Sequence, residues 1–319
     1  MAANSDRIST GERLQTIVTA SWIGIVGNGV LAVVKLIAGF VSGSAAVLSD
    51  GIDSALDILT SMISLIAARI TSIPPDVHHP YGHSRAETIA TKSLSFVIFF
   101  AGAQLAISSV GGIVSGDASQ LPTLLAIYVT IVSIAGKAAL AWYKFAAGKR
   151  TGSLMLVADA KNMRSDIVIS VAVLIGVSVT VWLEIPLFDR ITALGVSLYI
   201  MWVAFGIFVD TNSELMEGHG DPDTYQRIFD AVAAVPGAEH PHRTRIRTIG
   251  GLHIVDLDIE VDGTLSVQEA HAIAQITERA IRGALDNVYD VLVHVEPLGN
   301  VESAERYGLS QRKLDEFRS

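Results

Sequence analysis

The sequence predicts two parts: an α-helical membrane domain of six transmembrane helices, then an α+β ferredoxin-like domain of α-β-β-α-β order. Three observations carry that prediction. Half of the 319 residues are apolar, and a mean hydropathy of +0.46 is too high for a soluble chain of this length. The apolar residues form long runs that stop near Glu214. Beyond that point the apolar spacing switches between helical and strand periods. The expected domains are residues 10–212 for the membrane helices, 213–298 for the α+β part and 299–319 for a polar tail.

A bilayer core needs about 20 mostly apolar residues per helix. Six stretches qualify, approximately Leu14–Val41, Ala46–Ile70, Thr88–Val114, Leu121–Ala147, Leu154–Leu183 and Leu187–Asp210. Turn residues separate them: Ser42-Gly43-Ser44, Pro74-Pro75, Ser115-Gly116-Asp117, Gly148 and Glu184-Ile185-Pro186. The first run is too long for a signal peptide and lacks a small-residue cleavage pattern, so it reads as a membrane helix. Lys and Arg near the helix ends set the orientation. Arg7, Arg13, Arg69, Arg85, Lys92, Lys144, Lys149 and Arg150 fall on one side, and the other side holds only Arg190. Both termini are therefore expected in the cytoplasm. The compact chain and short loops suggest a bacterial inner membrane.

In the soluble part, Pro222 to Val235 reads as an amphipathic helix closed by Pro236-Gly237. Arg243–Ile249 and His253–Val261 read as strands joined at Gly250-Gly251, with Val267–Leu285 a helix and Val288–Val295 a third strand. Two helices are expected on one face of that sheet. The tail from Val301 reads as a loose polar helix. The net charge of −9 sits in this half: residues 1–214 carry 13 Lys+Arg against 14 Asp+Glu, and residues 215–319 carry 10 against 18. An acidic domain argues against a nucleic-acid partner. It is either an ordinary solvated surface or one that concentrates cations. The absence of cysteine excludes disulfides and thiolate metal sites.

Carboxylates inside the apolar runs are the strongest chemical signal. The second run holds Asp50, Asp53 and Asp57, and the fifth holds Asp159, Asn162 and Asp166. Each Asp at a membrane helix centre costs about 2.5–3.5 kcal/mol on insertion scales. Lys35 and Lys137 could offset some of that, but both are expected near helix ends or snorkelling outward. Asp53 and Asp57 are one helical turn apart, as are Asn162 and Asp166. Two such pairs on facing helices present four oxygen-bearing groups to one point, which is the geometry of a tetrahedral metal site. When the ion leaves, like charges in a confined site must take up protons or water, which couples metal and proton movement in opposite directions. Asp50 and Asp159 read equally as helix caps or partners of nearby hydroxyls.

Two further groups contain potential ligands. Asp76, His79 and His83 surround a turn set by Pro80 and Gly82, either a ligand cluster or a helix-start loop with surface histidines. In the acidic domain His240, His242, His253, His271 and His294 account for five of nine histidines. His294 and Glu296 share one face of a strand.

Ile52-Asp53-Ser54-Ala55-Leu56-Asp57, His79-Pro80-Tyr81-Gly82-His83-Ser84-Arg85-Ala86-Glu87 and Asn162-Met163-Arg164-Ser165-Asp166 resemble the cation diffusion facilitator family, over about residues 10–298. The resemblance implies a homodimeric metal–proton antiporter working by alternating access. It implies a transport site of Asp53, Asp57, Asn162 and Asp166, and a loop site of Asp76, His79 and His83. In the cytoplasmic domain it implies metal positions at His240, Asp258, His294 and Glu296, with His271 bridging, and an Arg85–Glu217 charge pair. Asn162 stands where zinc-transporting members often have His, Asp258 also replaces a common His, and Glu296 replaces Asp. An all-oxygen transport site favours Mn²⁺ or Fe²⁺, with Zn²⁺ still possible. The expected partners are thus divalent cations, as substrate and as structural or regulatory ligands, with protons, lipid and a second copy of the chain; no prosthetic group is expected. A non-transporting, metal-responsive scaffold or partner subunit is the alternative. An enzyme lacks support, because no P-loop or His-Glu-x-x-His motif is present.

Overall fold

The computed structural model describes residues 10–115, 121–151, 153–218, 221–249, 252–300 and 307–318. Arg7, the Gly116-Asp117 turn, the Gly250-Gly251 turn and the start of the tail at Val301 lie outside the described residues. The chain divides into two compact units, Met1–Ile66 with Ala90–Phe208, and Ala67–Ile89 with Val209–Ser319.

Six long helices precede the α+β part: α1 (Thr10–Ser42), α2 (Ala45–Thr71), α3 (Arg85–Val114), α4 (Leu124–Thr151), α5 (Leu154–Leu183) and α6 (Leu187–Leu215). Among the described residues, five of them, all but α2, have a stretch long and apolar enough to cross a membrane. The second carries Asp50, Asp53 and Asp57 in its first half. The packing is inverted relative to a soluble bundle. In α4 the buried stripe is Ala126, Thr130, Ser133, Lys137, Ala141, Lys144 and Gly148, spaced three or four residues apart, and it is small or polar. Leu124, Tyr128, Val132 and Trp142 of the same helix point outward and are exposed. Large apolar groups outside and small or polar groups inside are what lipid as solvent selects.

Gly148 is not the turn that the sequence suggests. It lies within α4, and a Cβ there would meet the backbone nitrogen of Val157 at 3.0 Å. Its role is to let α4 and α5 approach closely. The turns that do form have local causes. Gly43 adopts φ 70° between α1 and α2, and Glu184 caps α5 in the left-handed region. Asp189 of α6 accepts the Ser44 hydroxyl at 2.6 Å and the Ala45 amide at 2.7 Å, satisfying donors at the start of α2. The apolar heart of the bundle joins Val47 of α2, Leu94 and Ile98 of α3, Val173 and Val177 of α5, and Ile200 of α6.

The second unit contains α7 (Pro222–Ala233), β1 (Glu239–Ile249), β2 (Leu252–Val261), α8 (Val267–Ala284), β3 (Val288–Pro297) and α9 (Gln311–Arg318). Asp221 caps α7 with Pro222 in its first turn, and Ser266 with Glu269 forms a capping box on α8. The sheet order is β1-β2-β3, with β2 antiparallel to β1 and parallel to β3. Val255, Leu257, Ile259 and Val261 of β2 are buried with Ile228, Phe229 and Val232 of α7 and Ile281 of α8. Period-two alternation therefore leaves Asp256, Asp258 and Glu260 on the opposite face of β2.

Residues 307–318 of the tail are pinned rather than loose. Leu309 and Thr244 exchange two backbone hydrogen bonds at 2.9 and 3.0 Å, and Leu314 of α9 is fully buried in the core of this unit. Two leucines in a polar segment suffice to dock it. Leu314→Ala is expected to cost about 2–4 kcal/mol and to make residues 307–318 cleavable by protease in the full chain. A tail that stays as resistant as wild type would contradict the anchor.

Candidate metal centres

The first cluster forms inside the helix bundle. Asp53 and Asp57 share a face of α2, and Asp166 comes from α5; one carboxylate oxygen of each lies within 4.8 Å of the others. Together with Asn162, Leu56, Thr60, Ser165 and Tyr199 they line a cavity of about 350 Å³. The structure thus brings all four sequence-inferred groups to one cavity. Only oxygen and amide groups from them face it, a donor set suited to hard divalent cations.

The lysines depart from expectation. Neither Lys35 nor Lys137 snorkels: both are buried to within a few per cent. Lys137 Nζ lies 2.8 Å from Asp166 and 3.5 Å from Asp57. Lys35 pairs with Asp50 at 2.8 Å and donates to Ser170 at 3.0 Å, while the Ser170 hydroxyl donates to Asp50. Lys144 pairs with Asp159. Asp50 and Asp159 are therefore neutralised by partners of their own, outside the cavity cluster. Lys144 is also lost as a loop charge. The sequence does carry a signal for this: Lys137 and Lys144 are seven residues apart, on the stripe that also carries Thr130 and Ser133.

The second cluster is the loop between α2 and α3. Asp76, His79 and His83 also bring ligand atoms within 4.8 Å of one another. Asp76 stands 3.5 Å from His79 Nδ1 and 3.6 Å from His83 Nε2. Gly82, at φ 82°, makes the turn that lets the two rings approach to 4.4 Å. The His79 and His78 amides donate to the Asp76 carboxylate at 2.7 and 2.8 Å and hold it below the usual carboxylate range. Arg85, which opens α3, reaches Glu217 at 3.0 Å and the Glu214 carbonyl at 3.0 Å. Arg247 of β1 lies 3.8 Å from the same Glu217 carboxylate.

The third cluster differs from the set inferred from sequence. It joins His242, Asp258 and Glu296, all buried. His242 Nε2 lies 3.4 Å from Glu296, and Arg243 lies 2.8 Å from Asp258. His294 reaches Glu296 at 3.4 Å but is mostly exposed. His240 turns away to Glu260 at 3.2 Å, and His271 on α8 contacts Gln275 at 3.1 Å, so neither joins this group. The reason is the backbone of β1. Two register shifts, between Glu239 and His242 and between His242 and Arg245, each add a residue to the strand. His240 and Arg243 both adopt positive φ. Pro241 has no N–H to give the ladder. The bulged strand sets His242 opposite Asp258, whereas the sequence suggested a strand starting only at Arg243.

Comparison with known proteins gives this geometry a context. A profile of the cation efflux transmembrane domain matches residues 21–216, and one of the cation efflux cytoplasmic domain matches residues 221–298. An uncharacterized transporter of Methanocaldococcus jannaschii is 33% identical over 86% of this chain and 96% of its own. The manganese efflux system protein MneS of Bacillus subtilis is 30% identical over 92% of this chain and 98% of its own. The solved metal-bound C-terminal domain of the CzcD transporter from Thermotoga maritima is 42% identical over 25% of this chain and 93% of its own, with a TM-score of 0.24. Both profiles, consecutive along one chain, and a relative matched over nearly its whole length make this protein a member of the cation diffusion facilitator family of cation efflux transporters.

Proposed function

We propose that the chain exports divalent transition-metal ions, Mn²⁺ or Fe²⁺ in preference to Zn²⁺, in exchange for protons and by alternating access in a homodimer. The observation that carries this reading is the convergence of three carboxylates and Asn162 on one cavity within the helix bundle. An oxygen-only set disfavours the imidazole-loving ions relative to a site that contains histidine. The manganese efflux system protein among the relatives points the same way. Asp76, His79 and His83 form a second ion site in this reading. His242, Asp258 and Glu296, with His294 beside them, form a third that senses metal in the cytoplasmic domain. Both termini face the cytoplasm of a bacterial inner membrane.

The test is transport by proteoliposomes containing only this chain, across Mn²⁺, Fe²⁺, Co²⁺, Zn²⁺ and Cd²⁺, with an imposed pH gradient. Wild type is expected to carry Mn²⁺ or Fe²⁺ fastest and to move protons the opposite way. Asn162→His is expected to shift preference toward Zn²⁺ by about tenfold, the effect of one favourable ligand change. An unshifted preference sinks the ligand-type argument, and metal binding without any flux selects the scaffold reading instead.

A further inference from the structure

The amine of Lys137 shares its two carboxylates with the cavity that the proposed function assigns to the metal. It lies in the middle of α4 (Leu124–Thr151), about 20 Å from either end at 1.5 Å per residue. No rotamer of a lysine stem brings its head to the membrane surface from there. The side chain is 4% exposed and stands 2.8 Å from Asp166 and 3.5 Å from Asp57. Lys35 and Lys144 are matched to Asp50 and Asp159, one acid each. Lys137 instead answers to the three-carboxylate cluster. Formally, three carboxylates and one ammonium leave two negative charges, which a single dication cancels. A buried site that is neutral when loaded avoids the large penalty of unbalanced charge in a low dielectric.

We propose that Lys137 is a tethered counter-cation of the transport site: its ammonium holds Asp57 and Asp166 when metal is absent and limits how tightly an ion can be held there. This inference rests on the transport-site reading above. An ion that binds Asp166 sits close to the ammonium on the same carboxylate. The ammonium must then share or yield that oxygen, and its repulsion rises with the charge of the ion. Weak holding is what an exporter requires, because an ion bound too tightly is not released. Lys137 is in this sense a positioning and affinity-setting residue; the carboxylates remain the ligands.

The experiment measures Mn²⁺ binding to the full-length chain in nanodiscs, from the loss of the aqueous Mn²⁺ electron-paramagnetic signal. Asp57→Ala identifies the membrane site as the binding component it removes. Lys137→Met, and Lys137→Gln in case the methionine variant does not fold, are expected to tighten that component at least about tenfold. Tb³⁺, a trivalent probe, is expected to gain more than Mn²⁺. Lys137→Arg, which keeps the charge, is expected to stay near wild-type affinity. Loss of a merely structural lysine would loosen the site, so a gain separates the two roles. A folded Met or Gln variant with unchanged or weaker Mn²⁺ binding, while Asp57→Ala still removes a component, overturns the proposal and leaves the transport site standing. If Asp57→Ala removes nothing, the transport-site reading fails and takes the proposal with it.

Discussion

Asp57→Ala and Asp166→Ala are each expected to lower metal uptake into inverted vesicles by about 100-fold or more, since even groups that only support a ligand cost 10–100-fold. The two residues come from different helices, α2 and α5, yet their carboxylates meet at one cavity and share one lysine. Removing either breaks both the donor set and the charge balance. The protein should still insert, because the remaining acids keep Lys137 as a partner. Measured uptake must therefore be normalised to folded protein in the membrane. Wild-type rates in both variants would mean that no cation passes this point.

Lys35→Met is expected to destabilise the bundle by about 3–5 kcal/mol, the range for breaking a buried ion pair from one side. Asp50 is almost wholly buried, and its near partners are Lys35 and the hydroxyl of Ser170. Without Lys35 it is left as an unbalanced charge inside the helices. The double variant Lys35→Met with Asp50→Leu should recover most of the loss, because replacing both members of such a pair by apolar groups is often neutral. Unfolding in mixed detergent micelles reads both. A single variant within about 1 kcal/mol of wild type, where exposed pairs lie, would show that the pair is solvated.

Much of this architecture is legible in the sequence because its signals are local. Apolar runs announce six long helices, five of them apolar enough to cross a membrane among the described residues, and a change of period near Glu214 separates the α+β part. Asp53, Asp57, Asn162 and Asp166 announce a shared site because a helical turn aligns each pair. What could not be read depends on contacts between distant segments. Lys137 looks like a snorkelling residue until α2 and α5 supply its acids. His242 falls just ahead of the strand expected from Arg243 until two bulges in β1 set it opposite Asp258. The tail looks solvated because the apolar residues that anchor its described part, Leu309 and Leu314, are too few to make a periodic pattern.

The buried ion pairs also bear on how such a chain enters lipid. Lys35 and Asp50, and likewise Lys144 and Asp159, are fifteen residues apart on adjacent antiparallel helices joined by a short turn. Lys35 with Asp50, and Lys144 with Asp159, can thus cancel each other's charge within one hairpin while it is still inside the translocon. Asp57 of α2 meets its lysine only when α4 supplies Lys137, so the α1–α2 hairpin has reason to linger in the channel until α4 has been synthesised.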